Sequence, residues 1–162
     1  MKCINCGHAM TTRRENVPYT ALPGTVLIGV PVSRCARCGE YEVAIPAIDE
    51  LNRVLAGAVV RKRSRLAGAE VRFLRSYLGY AAADFAKLIG SDPATVSRWE
   101  SDKQRIGHHT DLLLRAMVAL DRKVDEYPIA TFAEIKAEAT EQPRYAFKPA
   151  AKKWKATELS MA

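Results

Sequence analysis

Four cysteines lie in the first quarter of the chain, in two copies of one short motif. Cys3 and Cys6 are separated by two residues, as are Cys35 and Cys38, and a glycine follows each pair directly. A two-residue gap lets both thiolates of a pair point at one ion from a tight turn, and glycine accepts the backbone conformation that turns the chain away. Four such thiolates are a ligand set typical of a tetrahedral zinc site.

A site of four thiolates leaves no open coordination position, so we expect one structural Zn2+ per chain rather than a catalytic ion. Residues 25–32 and 41–45 are predicted to form short strands, which makes residues 1–48 a predicted zinc ribbon. Disulfides, a redox-active Cys-x-x-Cys pair and an iron–sulfur cluster are the alternatives. Cytosolic thiols stay reduced, no βαβ pattern adjoins either pair, and Cys-x-x-Cys-Gly turns are more typical of zinc than of a cluster.

The second stretch with a functional pattern is residues 80–103, where two short helical patterns are separated by a sharp break. Gly90 supplies the turn between them. Asp92 is a good N-cap, and Pro93 occupies the first helical position, where its missing N–H costs nothing. Two short helices joined by a glycine-containing turn predict a helix-turn-helix unit.

The second predicted helix buries Val96 and Trp99 and turns its other side chains outward. Neither helix is stable alone in water, so flanking helices must complete the core. Residues 70–78 and 110–120 provide them, and the apolar stripe predicted for the second of these helices consists of Leu113, Met117 and Leu120.

The segment LGYAAADFAKLIGSDPATVSRWES resembles the five-helix repressor type of helix-turn-helix found in phage repressors and many bacterial regulators. The resemblance covers about residues 68–120. In that family the second helix enters the major groove of double-stranded DNA. The resemblance implies a DNA contact through the outward side chains of this helix and the loop after it. The candidates facing the bases are Ala94, Thr95 and Arg98, with Ser97 beside them and Lys103 and Arg105 near phosphates.

The predicted order of zinc ribbon, linker helix and helix-turn-helix resembles that of the YgiT/MqsA family of bacterial antitoxins over about residues 1–120. The resemblance depends on the segments MKCINCG, VPYT, CARCGE and VSRWES. It implies a homodimer that represses its own operon at a palindromic operator and pairs with a cognate mRNA-cleaving toxin. The best-known members read DNA with an asparagine and an arginine four residues apart. Arg98 matches the arginine, but Ala94 stands at the asparagine position, so the operator sequence does not transfer.

Basic side chains flank the predicted helix-turn-helix. The 162-residue chain has a formal charge of +7, with five basic and two acidic residues in 49–68 and five and one in 143–162. This distribution favours attraction to phosphate. The basic run at residues 61–65 follows a predicted helix and has two equal interpretations, a segment along DNA or a solvated hinge.

These patterns predict four segments: a zinc ribbon in 1–48, a linker helix with a basic linker in 49–67, the helix-turn-helix domain in 68–120, and an extension with a flexible basic tail in 121–162. The predicted fold class is mainly α, a small N-terminal β zinc ribbon followed by an all-α five-helix repressor-type domain.

No apolar run could span a membrane and no signal-peptide core is present, so we expect a cytoplasmic protein. The sequence shows no nucleophile–base pair and no phosphate-binding glycine loop, so we do not expect an enzyme. The favoured function is a sequence-specific DNA-binding repressor that acts as an autoregulating antitoxin. The alternatives are a stand-alone zinc-ribbon regulator and a protein-binding adaptor, both without a toxin partner.

Overall fold

The structure, a computed structural model, describes residues 1–121, 127–128, 130–136 and 144–157. The chain divides into two compact units. The first draws on residues 1–20, 24–51 and 144–162, and the second on residues 21–23 and 52–143. The first unit therefore combines segments from both ends of the chain.

The first unit contains a five-stranded mixed sheet in the described part of the chain. Its central strand, β2, pairs antiparallel with β1 and β3 and parallel with β4, and β4 pairs antiparallel with β5. The strands are β1 (Met10–Pro18), β2 (Thr25–Cys35), β3 (Tyr41–Val43), β4 (Tyr145–Ala150) and β5 (Lys153–Ala156). The β2–β4 pairing joins residues 25–27 to residues 145–147, about 120 positions apart.

The core of the first unit lies on one face of this sheet. Leu27 and Val30 of β2 are fully buried, and Phe147 of β4 and Trp154 of β5 are buried beside the same sheet. The indole Nε1 of Trp154 donates a hydrogen bond of 2.9 Å to the carbonyl oxygen of Pro46. The C-terminal hairpin thus supplies large aromatic side chains that a 48-residue ribbon would lack.

The predicted fold class is wrong, because the sheet is larger than a small ribbon and is not followed by an all-α five-helix domain. Strand β1 was not predicted, and β4 and β5 come from a segment whose composition predicts a flexible basic tail. Within that segment, buried Trp154 alternates with exposed Lys153 and Lys155, which is the period-two pattern of a strand. Residues 122–126, 129, 137–143 and 158–162 of the predicted extension lie outside the described residues.

The second unit is helical in the residues that the structure describes. Six helices occur along the described chain, the first of which begins in the first unit: α1 (Ile48–Val60), α2 (Gly68–Tyr77), α3 (Ala82–Leu88), α4 (Pro93–Glu100), α5 (His108–Asp121) and α6 (Thr131–Glu134). The core contains Val71 and Leu74 of α2, Phe85 of α3 and Val96 of α4, the last of which was predicted to be buried. None of these helices has the length and apolarity needed to cross a membrane.

The apolar stripe predicted for α5 is wrong by one position. Leu120 is 83% exposed and Leu113 is 46% exposed, whereas Leu114 and Val118 are fully buried. Helix α5 is apolar around most of its circumference, so spacing alone could not choose the face. Asp111 and Arg115 form a buried ion pair on the same face as Leu114 and Val118.

The basic linker between α1 and α2 is held in place by its neighbours. Lys62 is buried, and its Nζ lies 2.6 Å from Oε2 of Glu70. The same Glu70 oxygen accepts the backbone N–H of Ala67 at 2.8 Å. Ser64 is also buried and forms a β-bridge with Lys136. The linker is therefore not a solvated hinge, although Arg61 and Arg63 within it remain exposed.

Candidate metal centre and nucleic-acid interface

Each cysteine pair lies on a tight turn with the same two backbone hydrogen bonds. The N–H of Cys3 and that of Cys35 each donate to the carbonyl oxygen five residues on, at 2.8 Å in both turns. The N–H of Gly7 and that of Gly39 donate back to the carbonyls of these cysteines at 2.8 and 3.0 Å. Both glycines have positive φ, +70° and +76°, which explains why glycine follows each pair.

The two turns bring all four sulfurs together. The Sγ atoms of Cys3 and Cys38 are 3.5 Å apart, as are those of Cys6 and Cys35, and all four lie within 4.8 Å of one another. None of the four forms a disulfide. Four thiolates about 2.3 Å from a tetrahedral zinc ion stand about 3.8 Å apart. The predicted cluster is confirmed, and its sulfurs are placed to hold one metal ion.

The backbone prepares one of these sulfurs to be a thiolate. Hydrogen bonds from the backbone of Cys38, and also of Arg37, lower the pKa of Cys35 to about 6 against the opposing effect of burial. A backbone hydrogen bond from His8 acts the same way on Cys6, but desolvation and the three neighbouring thiols outweigh it and raise the pKa of Cys6 to about 12. A bound cation would compensate the charge of four crowded thiolates.

The turn between α3 and α4 forms as the residue types predict. Gly90 has a positive φ of +68°, and the carboxylate of Asp92 accepts the N–H of Thr95 at 2.9 Å, with Pro93 in the first turn of α4. Hydrogen bonds from the hydroxyl and then the backbone of Thr95 lower the pKa of the Asp92 carboxyl. The predicted start of this helix is confirmed.

The inner face of α4 packs against the rest of the second unit. Val96 and Trp99 are buried, as predicted. Arg75 of α2 binds both carboxylate oxygens of Glu100, with 3.1 Å between Nη2 and Oε2. Gly68 is the first residue of α2 and lies at the end of α4. Its N–H donates to the Asp102 carboxylate at 2.7 Å. Contacts along its inner side and at its C-terminal end therefore join α4 to α2.

The outer face of α4 carries the predicted DNA contacts. Ala94, Ser97 and Arg98 are exposed and Thr95 is half-buried, while Lys103 and Arg105 are exposed in the loop that follows α4. The structure joins two of these six directly, because Nη2 of Arg98 donates to Oγ1 of Thr95 at 2.7 Å.

Residue types alone did not identify Gln104 as part of this surface. Its Oε1 accepts the Nε–H of Arg98 at 3.1 Å, so Gln104 and Thr95 hold the guanidinium from two sides. Gln104 lies in the loop after α4, where helical spacing no longer predicts neighbours. The loop returns because the backbone N–H of Gln104 donates to the carbonyl of Arg98 at 3.1 Å.

No protein-family model matches the chain, and no curated protein matches it at a significant level. The geometry of the cysteine cluster and of α4 therefore carries the functional argument.

Proposed function

We propose that the protein is a sequence-specific, DNA-binding transcriptional repressor that reads duplex DNA with α4 and contains one structural Zn2+ in its first unit. The observation that supports this proposal most strongly is the exposure and orientation of the Arg98 side chain. Its guanidinium is exposed on the outer face of α4 and is oriented by Thr95 and Gln104. An exposed guanidinium whose orientation is already set loses less conformational entropy when it contacts a partner.

Hydrogen bonds to Thr95 of α4 and to Gln104 of the following loop determine which donors of Arg98 are left for a partner. A guanidinium has five N–H groups, and here Nε–H and one hydrogen of Nη2 are engaged by Gln104 and Thr95. One hydrogen of Nη1 and the second hydrogen of Nη2 stay available and together form the terminal edge. That edge matches the O6 and N7 acceptors of guanine in the major groove.

The remaining predicted residues fit the surroundings of such a contact. Ala94 is suited to apolar contact with a thymine methyl, and the hydroxyl of Ser97 is suited to a polar contact in the groove. The positive side chains of Lys103 and Arg105 would lie near phosphates, which position the protein without reading sequence. In this proposal two copies of the chain form a homodimer on a palindromic operator with half-sites about one helical turn apart.

Zinc is the ion proposed for the cysteine cluster, because four thiolates at tetrahedral spacing favour it over hard cations. Metal analysis of protein purified without added zinc should find one Zn2+ per chain. Cys3→Ser should remove the ion and unfold the first unit. Iron or a sulfide-containing cluster in that analysis would refute the zinc assignment.

The test of DNA reading is selection of duplexes from a random library, followed by affinity measurements on the selected site and a scrambled duplex. Arg98→Ala should weaken binding to the selected site by about 1–3 kcal/mol and leave the scrambled duplex nearly unaffected. Arg13→Ala, at an exposed position in β1, is the control with the same change of charge. An equal loss on both duplexes would show that Arg98 touches only phosphate.

The finer proposal, an autoregulating antitoxin in the cytoplasm, adds a cognate toxin as a protein partner. It rests on the resemblance of the two cysteine motifs and of the VSRWES segment. Co-expression with the neighbouring gene tests it. A stable complex that still binds the promoter would support the antitoxin, and a chain that represses alone would leave a stand-alone regulator.

A further inference from the structure

The hairpin formed by β4 and β5 is strongly basic on one face. Between residues 144 and 157 the chain has five basic residues and no acidic one. Lys148 of β4 lies directly opposite Lys155 of β5, and Lys153 lies two residues before Lys155 on the same side of the strand. All three are exposed. We call Lys148, Lys153 and Lys155 the lysine face.

Part of this charge has a structural explanation, because β5 is an edge strand and lysines on an edge strand discourage pairing with another chain. Lys148 lies on the inner strand β4, where this explanation does not apply. Like charges directly opposite on paired strands destabilise a sheet. No carboxylate in the described part of the chain forms an ion pair with any of the three lysines. Pairing of β4 with β5 is secured by the opposite face, where Phe147 and Trp154 are buried.

We propose that the lysine face contacts the phosphate backbone of duplex DNA and forms a second, sequence-independent part of the DNA interface. This inference rests on the proposed function and extends it from α4 to the first unit. Lys153 and Lys155 are about 6.8 Å apart along β5, and each DNA strand has one phosphate per about 3.4 Å of helix axis. Because the backbone winds around this axis, successive phosphates of one strand are farther apart than the axial rise, so the two ammonium groups are close enough together to reach neighbouring phosphates.

The chemistry of this face favours DNA over other acidic partners. On the same side of the hairpin, Lys148 is flanked along β4 by Ala146, which is buried, and by Ala150, which lies opposite Lys153, and neither is a large apolar group. A membrane-surface element needs aromatic or leucine side chains to enter the lipid. A protein interface needs central anchors such as tryptophan or tyrosine. A face with charge alone fits a partner that is recognised by its charge.

The experiment compares the salt dependence of DNA binding for two variants of the full chain. One carries Lys148→Gln, Lys153→Gln and Lys155→Gln. The control carries Lys2→Gln, Arg13→Gln and Lys136→Gln, which removes the same charge from other exposed positions. Affinities are measured against salt on the selected duplex and on a scrambled duplex, and thermal unfolding confirms that both variants are folded.

The affinity for DNA falls as salt rises, and each lost phosphate contact makes the negative slope of log K against log salt shallower by about 0.9. The lysine-face variant should lose roughly 2 to 3 from this slope on both duplexes and keep the ratio between them, while the control loses less than about 1. Equal slopes in the two variants would overturn the inference but leave sequence reading by α4 intact.

Two further outcomes separate the inference from the proposed function. If the wild type binds both duplexes equally and the lysine-face variant still loses slope, the hairpin contact stands and the sequence-specific repressor fails. The same proteins are also assayed on vesicles of phosphatidylcholine with phosphatidylserine. A vesicle affinity that depends on the lysine face, with unchanged DNA slopes, would assign these lysines to a membrane and refute the DNA contact.

Discussion

Asp111 and Arg115 lie one helical turn apart on α5 as an ion pair, and neither side chain is exposed to solvent. Arg115 also donates to the carbonyl oxygen of Val60 at 3.0 Å and to that of Ser64 at 2.7 Å. The second oxygen of Asp111 accepts the backbone N–H of Leu66 at 2.7 Å. The pair thus satisfies backbone groups at the end of α1 and throughout the linker that leads into α2.

Removal of one member of this pair should destabilise the second unit severely. Arg115→Met leaves Asp111 buried without its cation and leaves the linker carbonyls without their hydrogen-bond donor. We therefore expect a loss of about 3–5 kcal/mol in the free energy of unfolding. Urea unfolding followed by circular dichroism at the helical minimum measures it. The control is Arg63→Ala, whose partner Glu134 is 3.4 Å away and largely exposed, with an expected loss of about 0–1 kcal/mol. Similar losses in the two variants would contradict a structural role for the pair.

Gly68 is required by the close approach of α2 to the end of α4. A Cβ at this position would lie 2.5 Å from the carbonyl oxygen of Trp99 and 2.8 Å from that of Glu100. Since both are backbone atoms, Gly68→Ala should force α2 and α4 apart and cost about 1–3 kcal/mol in unfolding free energy.

Gly107→Ala is the matched control for Gly68→Ala. A Cβ at Gly107 would meet only Oγ1 of Thr110, at 3.9 Å, so the substitution should cost less than about 1 kcal/mol. DNA affinity gives a second measurement, because a displaced α4 would weaken sequence reading in Gly68→Ala alone. Equal stability of the two alanine variants would mean that the α2–α4 contact adapts without strain.

The features that were predicted correctly depend on residues close together in the sequence. The turns at Cys3 and Cys35 follow from spacing and a glycine, and the start of α4 follows from Asp92 and Pro93. Local hydrogen bonds determine each of these elements, so a short window contains the whole cause.

The features that were missed depend on partners far away along the chain. Strand β4 pairs with β2 across about 120 residues, and nothing near residue 145 specifies that partner. The face of α5 that is buried was missed because Asp111 and Arg115 are charged, and charged residues are almost never fully buried unless paired. The alternation around Trp154 was a usable signal for a strand, but the alanines and lysines of the same segment concealed it.

Trp154 should be as important to the first unit as any residue of β2. Its side chain is only 4% exposed and donates a hydrogen bond to Pro46, so Trp154→Ala should cost about 3–5 kcal/mol. Hydrogen exchange of the β2 amides reports this loss within the first unit. Lys155→Ala, at the exposed neighbouring position, should leave β2 exchange unchanged. Unaltered protection of β2 in Trp154→Ala would show that the hairpin does not stabilise the sheet.

The N-cap of α4 should make the second unit sensitive to acid. Hydrogen bonds from Thr95 lower the pKa of Asp92 on folding, so the ionised carboxylate stabilises the folded chain. That stabilisation is fully present above the pKa of an unfolded aspartate, about 3.9, and is lost as the pH falls through the lower folded value.

Asp92→Asn retains a capping oxygen but binds no proton in this range. The stability difference between the wild type and Asp92→Asn should therefore be constant above about pH 5 and shrink below about pH 4. Urea unfolding of both proteins across this range, followed by the helical signal, measures the difference. A difference that stays constant down to about pH 3 would show that the carboxylate of Asp92 does not stabilise α4.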